Sequence, residues 1–150
     1  DKKKNLDRAV SLLGQDPKIE VLKKSSYIDT KPYGKLDQPD FLNCVIEIKT
    51  TYTPHDLLSR CLSIEKIVGR TQGEKWGPRI IDVDILFYNN KIVNTLNLIL
   101  PHPEVHKREF ALRSLKEIAP NFKHPILKTR MLDLYRLVKS KDTDKETNKD

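Results

Sequence analysis

One stretch constrains the fold of this chain more than any other: Trp76-Gly77-Pro78-Arg79-Ile80-Ile81-Asp82-Val83-Asp84-Ile85-Leu86. Ile81, Val83, Ile85 and Phe87 alternate with Asp82 and Asp84, and a period of two predicts a strand over 79–88. Residues two apart in a strand share a face, with Cα atoms roughly 6.6 Å apart. The apolar face requires helices to pack on it. The acidic face requires something positive, because two like charges at that spacing repel. Hard oxygen ligands so placed suit Mg²⁺, which takes a few carboxylates, waters and phosphate oxygens. A solvated edge strand, or a salt bridge to Arg79, satisfies the same spacing, and spacing alone leaves these readings open.

The remaining segments supply the helices. Leu6, Ala9, Val10 and Leu13 fall on one face of a helix over 2–13, stopped by Gly14. Ile19 to Tyr27 and Phe41 to Ile48 read as strands, joined by a loop that carries Pro32, Gly34 and Pro39. Thr53 caps a helix that begins with Pro54 and carries Asp56 in its first turn. Leu57, Leu58, Cys61, Leu62, Ile64 and Ile67 form its apolar face, and Gly69 ends it. After a polar loop and the strand over 79–88, Asn89-Asn90 turns into a hairpin arm over 91–100. Helices over 107–119 and 129–138 follow. This order lacks one leading strand of a β-α-β-β-α-β unit. It predicts an α+β, ferredoxin-like sandwich, a mostly antiparallel sheet with helices, whose first central strand is missing from the chain.

Charge and composition narrow the function. The chain has 28 Lys plus Arg against 21 Asp plus Glu. Residues 139–150 hold four Lys and four acids with no apolar residue, and read as a disordered polar tail after a domain over 1–138. The net charge of +7 therefore belongs to the domain and draws phosphate-bearing partners. No apolar run reaches 18 residues, so no spanning helix is expected. Cys44 and Cys61 fit no disulfide framework or Cys-x-x-Cys pair, which favours a reducing, cytoplasmic setting. Basic residues flank the acidic pair: Arg70, Lys75 and Arg79 around Trp76, then His102, Lys107 and Arg108. Cations, paired carboxylates and Gly-bearing loops point to phosphoryl-type transfer, with no P-loop present. His55, His106 and His124 read as exposed, the two thiols as core, and Met131 and Tyr135 as core.

The 76–86 run resembles the signature of the 6-hydroxymethyl-7,8-dihydropterin pyrophosphokinase family. Three other segments agree in order: Ser25-Ser26-Tyr27 through Thr30 and Gly34; Gln38-Pro39-Asp40-Phe41-Leu42-Asn43; and Pro101-His102-Pro103 through Arg108, Phe110 and Leu112 to Pro120. The resemblance implies transfer of diphosphate from ATP to the pterin hydroxymethyl group, with release of AMP. It implies that Asp82 and Asp84 hold two Mg²⁺ ions, and that Arg70 and Arg79 act in catalysis from a loop closing with Trp76. Glu65, Trp76, Arg79, Ile85, His102 and Arg108 are implied to bind ATP. Phe41 and Phe110 are implied to sandwich the pterin, with Thr30, Tyr33 and Asn43 reading its edge. It also admits fusion or adjacency to another folate enzyme, with small molecules as partners and neither nucleic acid nor membrane.

Family members begin with an apolar strand and a Gly-Ser-Asn turn, so residues upstream of Asp1 are expected. Thr71, Gln72 and Lys75 stand where relatives often carry arginine, and Lys31 where a second proline is common. Two rival readings are a basic ferredoxin-like RNA-binding module and a non-catalytic relative. Neither Phe41 to Ile48 nor 79–88 carries the aromatic pattern of the RNA-binding class.

Overall fold

The computed structural model describes residues 1–30, 41–70 and 80–147. The chain comprises two compact units, Asp1–Ile85 and Leu86–Asp150.

The first unit opens with α1, Lys2–Gln15, capped by Asp1, whose Oδ1 accepts the Lys3 N–H at 3.0 Å. Ala9 and Leu13 are its buried residues, on the predicted face. Gly14 does not stop the helix. Asp16 follows its end and is buried, accepting the Lys18 N–H at 2.8 Å and the Tyr52 hydroxyl at 2.7 Å. Arg60 Nε lies 3.0 Å from the same carboxylate. These contacts tie the end of α1 to the second helix, and the Lys18 and Tyr52 hydrogen bonds hold the carboxyl below its ordinary range.

Strand β1, Ile19–Lys24, pairs antiparallel with β4, Ile46–Thr50, with a bulge between Val21 and Lys23 that leaves Leu22 exposed. Strand β2, Ile28–Thr30, pairs antiparallel with β3, Phe41–Asn43. Each predicted strand in this region is thus broken into two. Ser25 explains both breaks: its N–H donates to the Val45 carbonyl at 2.9 Å, and its Oγ accepts the Val45 N–H at 2.9 Å. The same two segments pair on both sides of that point, but the Ser25 hydroxyl takes the Val45 N–H that a backbone carbonyl accepts in an unbroken ladder, and the register shifts by one residue from Lys24 opposite Ile46 to Ile28 opposite Asn43. Helix α2, Pro54–Arg70, completes the unit and runs through Gly69.

The alternation over 79–88 predicts a strand, and residues 81–88 form none. A ladder requires a neighbour, and no described strand pairs with this segment or with the second edge of β4. Among the described residues there are three two-stranded antiparallel sheets and four α-helices, an α+β composition.

In the second unit, β5, Val93–Asn94, and β6, Ile99–Leu100, form the predicted hairpin arm in short form. Helix α3, Glu109–Ile118, buries Ala111, Leu112, Leu115 and Ile118, and packs on α4, Met131–Thr147, through Met131 and Leu134. Lys139 of α4 reaches Glu109 of α3 at 3.6 Å. Helix α4 continues past Val138, into the stretch whose composition predicts an unfolded tail. No Gly or Pro lies between Met131 and Thr147 to end it.

His124 corrects another expectation. It is 4 % exposed, its ring edge-on to Phe87 at 5.6 Å and to His106 at 6.2 Å between centroids. Its Nδ1 accepts the N–H groups of Ile126 at 3.2 Å and Leu127 at 3.1 Å, organising the turn before α4. A ring so used must be neutral at Nδ1, and burial, then the neighbouring His106, lowers its pKa from 6.5. Below 6.5 the unfolded chain therefore binds a proton that the folded chain does not, and stability falls as pH falls through that window. The melting temperature should drop between pH 7.5 and 5 in the wild type (roughly a window about the free-imidazole value). His124→Asn, whose Oδ1 can accept the same N–H groups without titrating, should show a shallower slope. An equal slope in both proteins would assign the effect elsewhere.

Candidate active site

The acidic pair keeps its faces although it has no ladder. Ile81 is buried, Val83 and Ile85 are half-buried, and Asp82 and Asp84 are exposed. What holds the segment is α2. Thr53 Oγ1 accepts the Asp56 N–H at 3.2 Å, and Pro54 leads the helix, as their sequence order predicts. Leu57, Cys61, Ile64 and Val68, spaced along one stripe, are buried. Glu65 lies at the edge of that stripe, half-buried, and its Oε1 accepts the Val83 N–H at 3.2 Å.

The field of these carboxylates reaches Cys61. Burial pushes the thiol up to about 11, with Glu65 and then Asp84 adding to the rise. The group is thus a protonated core thiol, as its apolar surroundings predict, and not a nucleophile. Cys44 is half-buried and also raised by burial.

The donor set around Asp82 and Asp84 is all oxygen, and the described residues contain no cluster of three or more His, Cys, Asp or Glu able to hold an ion. Two exposed carboxylates, with the other positions left to water and substrate phosphate, fit the way Mg²⁺ is ordinarily bound.

A second group of predicted residues meets in the β2–β3 ribbon. Thr30 stands opposite Phe41, and Ile28 opposite Asn43, so all four share one face. Asn43 Nδ2 donates to Thr30 Oγ1 at 2.8 Å, which fixes the orientation of the amide. Phe41 is 56 % exposed, a large ring left open on that face.

The second unit carries three more. The His102 N–H donates to the Leu86 carbonyl at 2.9 Å, and His102 Nδ1 accepts the Glu104 N–H at 3.1 Å, so the neutral ring carries its proton on Nε2. Arg108 occupies the residue before α3 without capping it, and Phe110 is half-buried in the first turn. Tyr33, Trp76 and Arg79, and the side chain of Arg70, lie outside the described residues. Sequence reasoning missed the Glu65–Val83 bond. It joins a helix to a segment 18 residues on, and no periodicity announces it. No described helix is long and apolar enough to cross a membrane.

Comparison with known proteins agrees with the sequence signature. The chain is 46 % identical over 121 residues to a 2-amino-4-hydroxy-6-hydroxymethyldihydropteridine pyrophosphokinase of Methylorubrum extorquens, covering 81 % of this chain and 77 % of that protein. It is 44 % identical over 118 residues to the Bacillus subtilis protein so named, covering 79 % and 71 %. It is also 38 % identical over 121 residues to the bifunctional protein FolKE of Lactococcus lactis, covering 81 % of this chain and 35 % of that one. The first two of these relatives are pyrophosphokinases by name. The model of the 7,8-dihydro-6-hydroxymethylpterin-pyrophosphokinase (HPPK) family matches residues 1–120, and the chain belongs to that family.

Proposed function

We infer that this chain transfers diphosphate from ATP to the hydroxymethyl group of 6-hydroxymethyl-7,8-dihydropterin, releasing AMP, in folate biosynthesis. The observation that carries the reading is the family match over residues 1–120, which runs through both structural units. It supports treating the matched span as one pterin pyrophosphokinase domain of ferredoxin-like type. Neither the RNA-binding reading nor the non-catalytic one has a comparable observation behind it.

In this reading the hydroxymethyl oxygen attacks the β-phosphorus and gives up its proton to the medium, the bond from that phosphorus to the α–β bridging oxygen breaks, and AMP leaves with that oxygen. Asp82 and Asp84 would hold two Mg²⁺ ions, which would supply charge neutralisation to the phosphates. The protein's own part is positioning and charge. Arg70 and Arg79 supply cations to the phosphates, bidentate where their forks allow. Glu65, Trp76, Ile85, His102 and Arg108 hold the nucleotide. Phe41 and Phe110 stack on the flat ring, and Thr30, Tyr33 and Asn43 read its edge. The unpaired thiols Cys44 and Cys61 support a cytoplasmic site of action. The bifunctional relative supports fusion to, or adjacency with, another folate enzyme as an arrangement open to this domain.

Incubation with ATP, Mg²⁺ and hydroxymethyldihydropterin should release AMP in a one-to-one ratio to pterin diphosphate. ADP in its place would assign the chain to another kinase class.

A further inference from the structure

The acidic pair lies in the first unit, in the stretch of chain that follows α2. The peptide N–H at the centre of the acidic pair belongs to Val83, and it is held by a helix carboxylate, Glu65 Oε1, at 3.2 Å. The acceptor is ionised, which makes this hydrogen bond stronger than one between neutral groups. Its base is firm, since Cys61, Ile64 and Val68 of the same helix are buried. Glu65 also adds a negative charge near the pair, as its effect on Cys61 beside that of Asp84 shows. That charge opposes the pair while no cation is bound and favours a cation when one arrives.

We propose that Glu65 is a positioning residue for the acidic pair: by accepting the Val83 N–H it fixes the peptide between Asp82 and Asp84, and so sets the spacing at which the two carboxylates grip a divalent cation. This rests on reading Asp82 and Asp84 as cation ligands, and it is a second role for Glu65 beside the nucleotide contact proposed above. A nucleotide contact would make the carboxylate charge or shape matter to ATP. A positioning role makes the acceptor at Oε1 matter to the metal.

The experiment is titration of the full chain with Mn²⁺, followed by the resonance of the free ion, for wild type, Glu65→Gln, Glu65→Ala and Asp82→Asn. Glu65→Ala should weaken Mn²⁺ binding roughly tenfold, the size of one ordinary hydrogen bond. Glu65→Gln keeps an acceptor in place and should stay within about threefold (the loss left to the missing charge). Hydrogen exchange at the Val83 amide should be slow in wild type and Glu65→Gln and fast in Glu65→Ala. Equal Mn²⁺ affinity in wild type and Glu65→Ala, or equal losses in the Ala and Gln variants, would overturn the proposal. Should Glu65→Ala not fold, rapid Val83 exchange in the wild type would overturn it and slow exchange in both wild type and Glu65→Gln would uphold it. The titration needs no turnover, so it separates two failures. Intact Mn²⁺ binding in Asp82→Asn removes the ligand assignment and the proposal together, whereas its loss there, with Glu65→Ala unaffected, removes the role of Glu65 alone.

Discussion

Asp82→Asn and Asp84→Asn should each lower AMP release by at least about a hundredfold, the scale of losing one electrostatic stabiliser of a transition state. Each change keeps the side chain's shape and removes the charge that a hard divalent ion requires. Both residues are exposed, so the loss of activity should not be a loss of fold. The unligated protein should even melt at an equal or slightly higher temperature. Three carboxylates, Glu65 with Asp82 and Asp84, lie on two elements joined by the Glu65–Val83 bond, and removing one relieves repulsion among like charges. Near-normal AMP release from either variant, or a collapse in melting temperature, would show that the pair does something other than hold metal.

The parts of the fold legible in the sequence are those that local chemistry decides. Thr53-Pro54 and Asp56 start α2 where their order predicts, and the Leu57–Cys61–Ile64 stripe faces inward. The two-residue alternation at 81–85 fixes which side chains are buried. It could not fix a ladder, because a ladder depends on a second segment of chain. Ser25 and Val45 illustrate the same limit: a side-chain hydroxyl 20 residues away takes the Val45 N–H and interrupts the ladder between what alternation reads as two continuous strands. His124 was hidden for another reason. A polar loop composition predicts exposure, and only the tertiary positions of Phe87 and His106 give the imidazole somewhere to go. Of the candidate site, Thr30, Phe41 and Asn43 lie at separate points of the sequence, and strand pairing alone gathers them on one face.

That gathering makes Phe41 the sharper of the two aromatic tests. Phe110 is half-buried in the first turn of α3, so its truncation mixes lost packing with lost binding. Phe41 is 56 % exposed and contributes little to any core, so Phe41→Ala should change folding stability by no more than about 0.5 kcal/mol. Stacking of a flat heterocycle on an aromatic side chain is worth about 1–3 kcal/mol by alanine substitution, roughly 5- to 150-fold in affinity. Phe41→Ala should therefore raise the pterin KM within that range and leave the KM for ATP near its wild-type value. Phe41→Tyr should restore most of the affinity, since the ring face is retained. Leucine at the same position supplies apolar area without a π-face and should fall between the two. If alanine, leucine and tyrosine all bound the pterin alike, the open ring of the β2–β3 ribbon would not be the stacking platform. If ATP binding fell in parallel with pterin binding, Phe41 would be supporting the wider site and not one substrate.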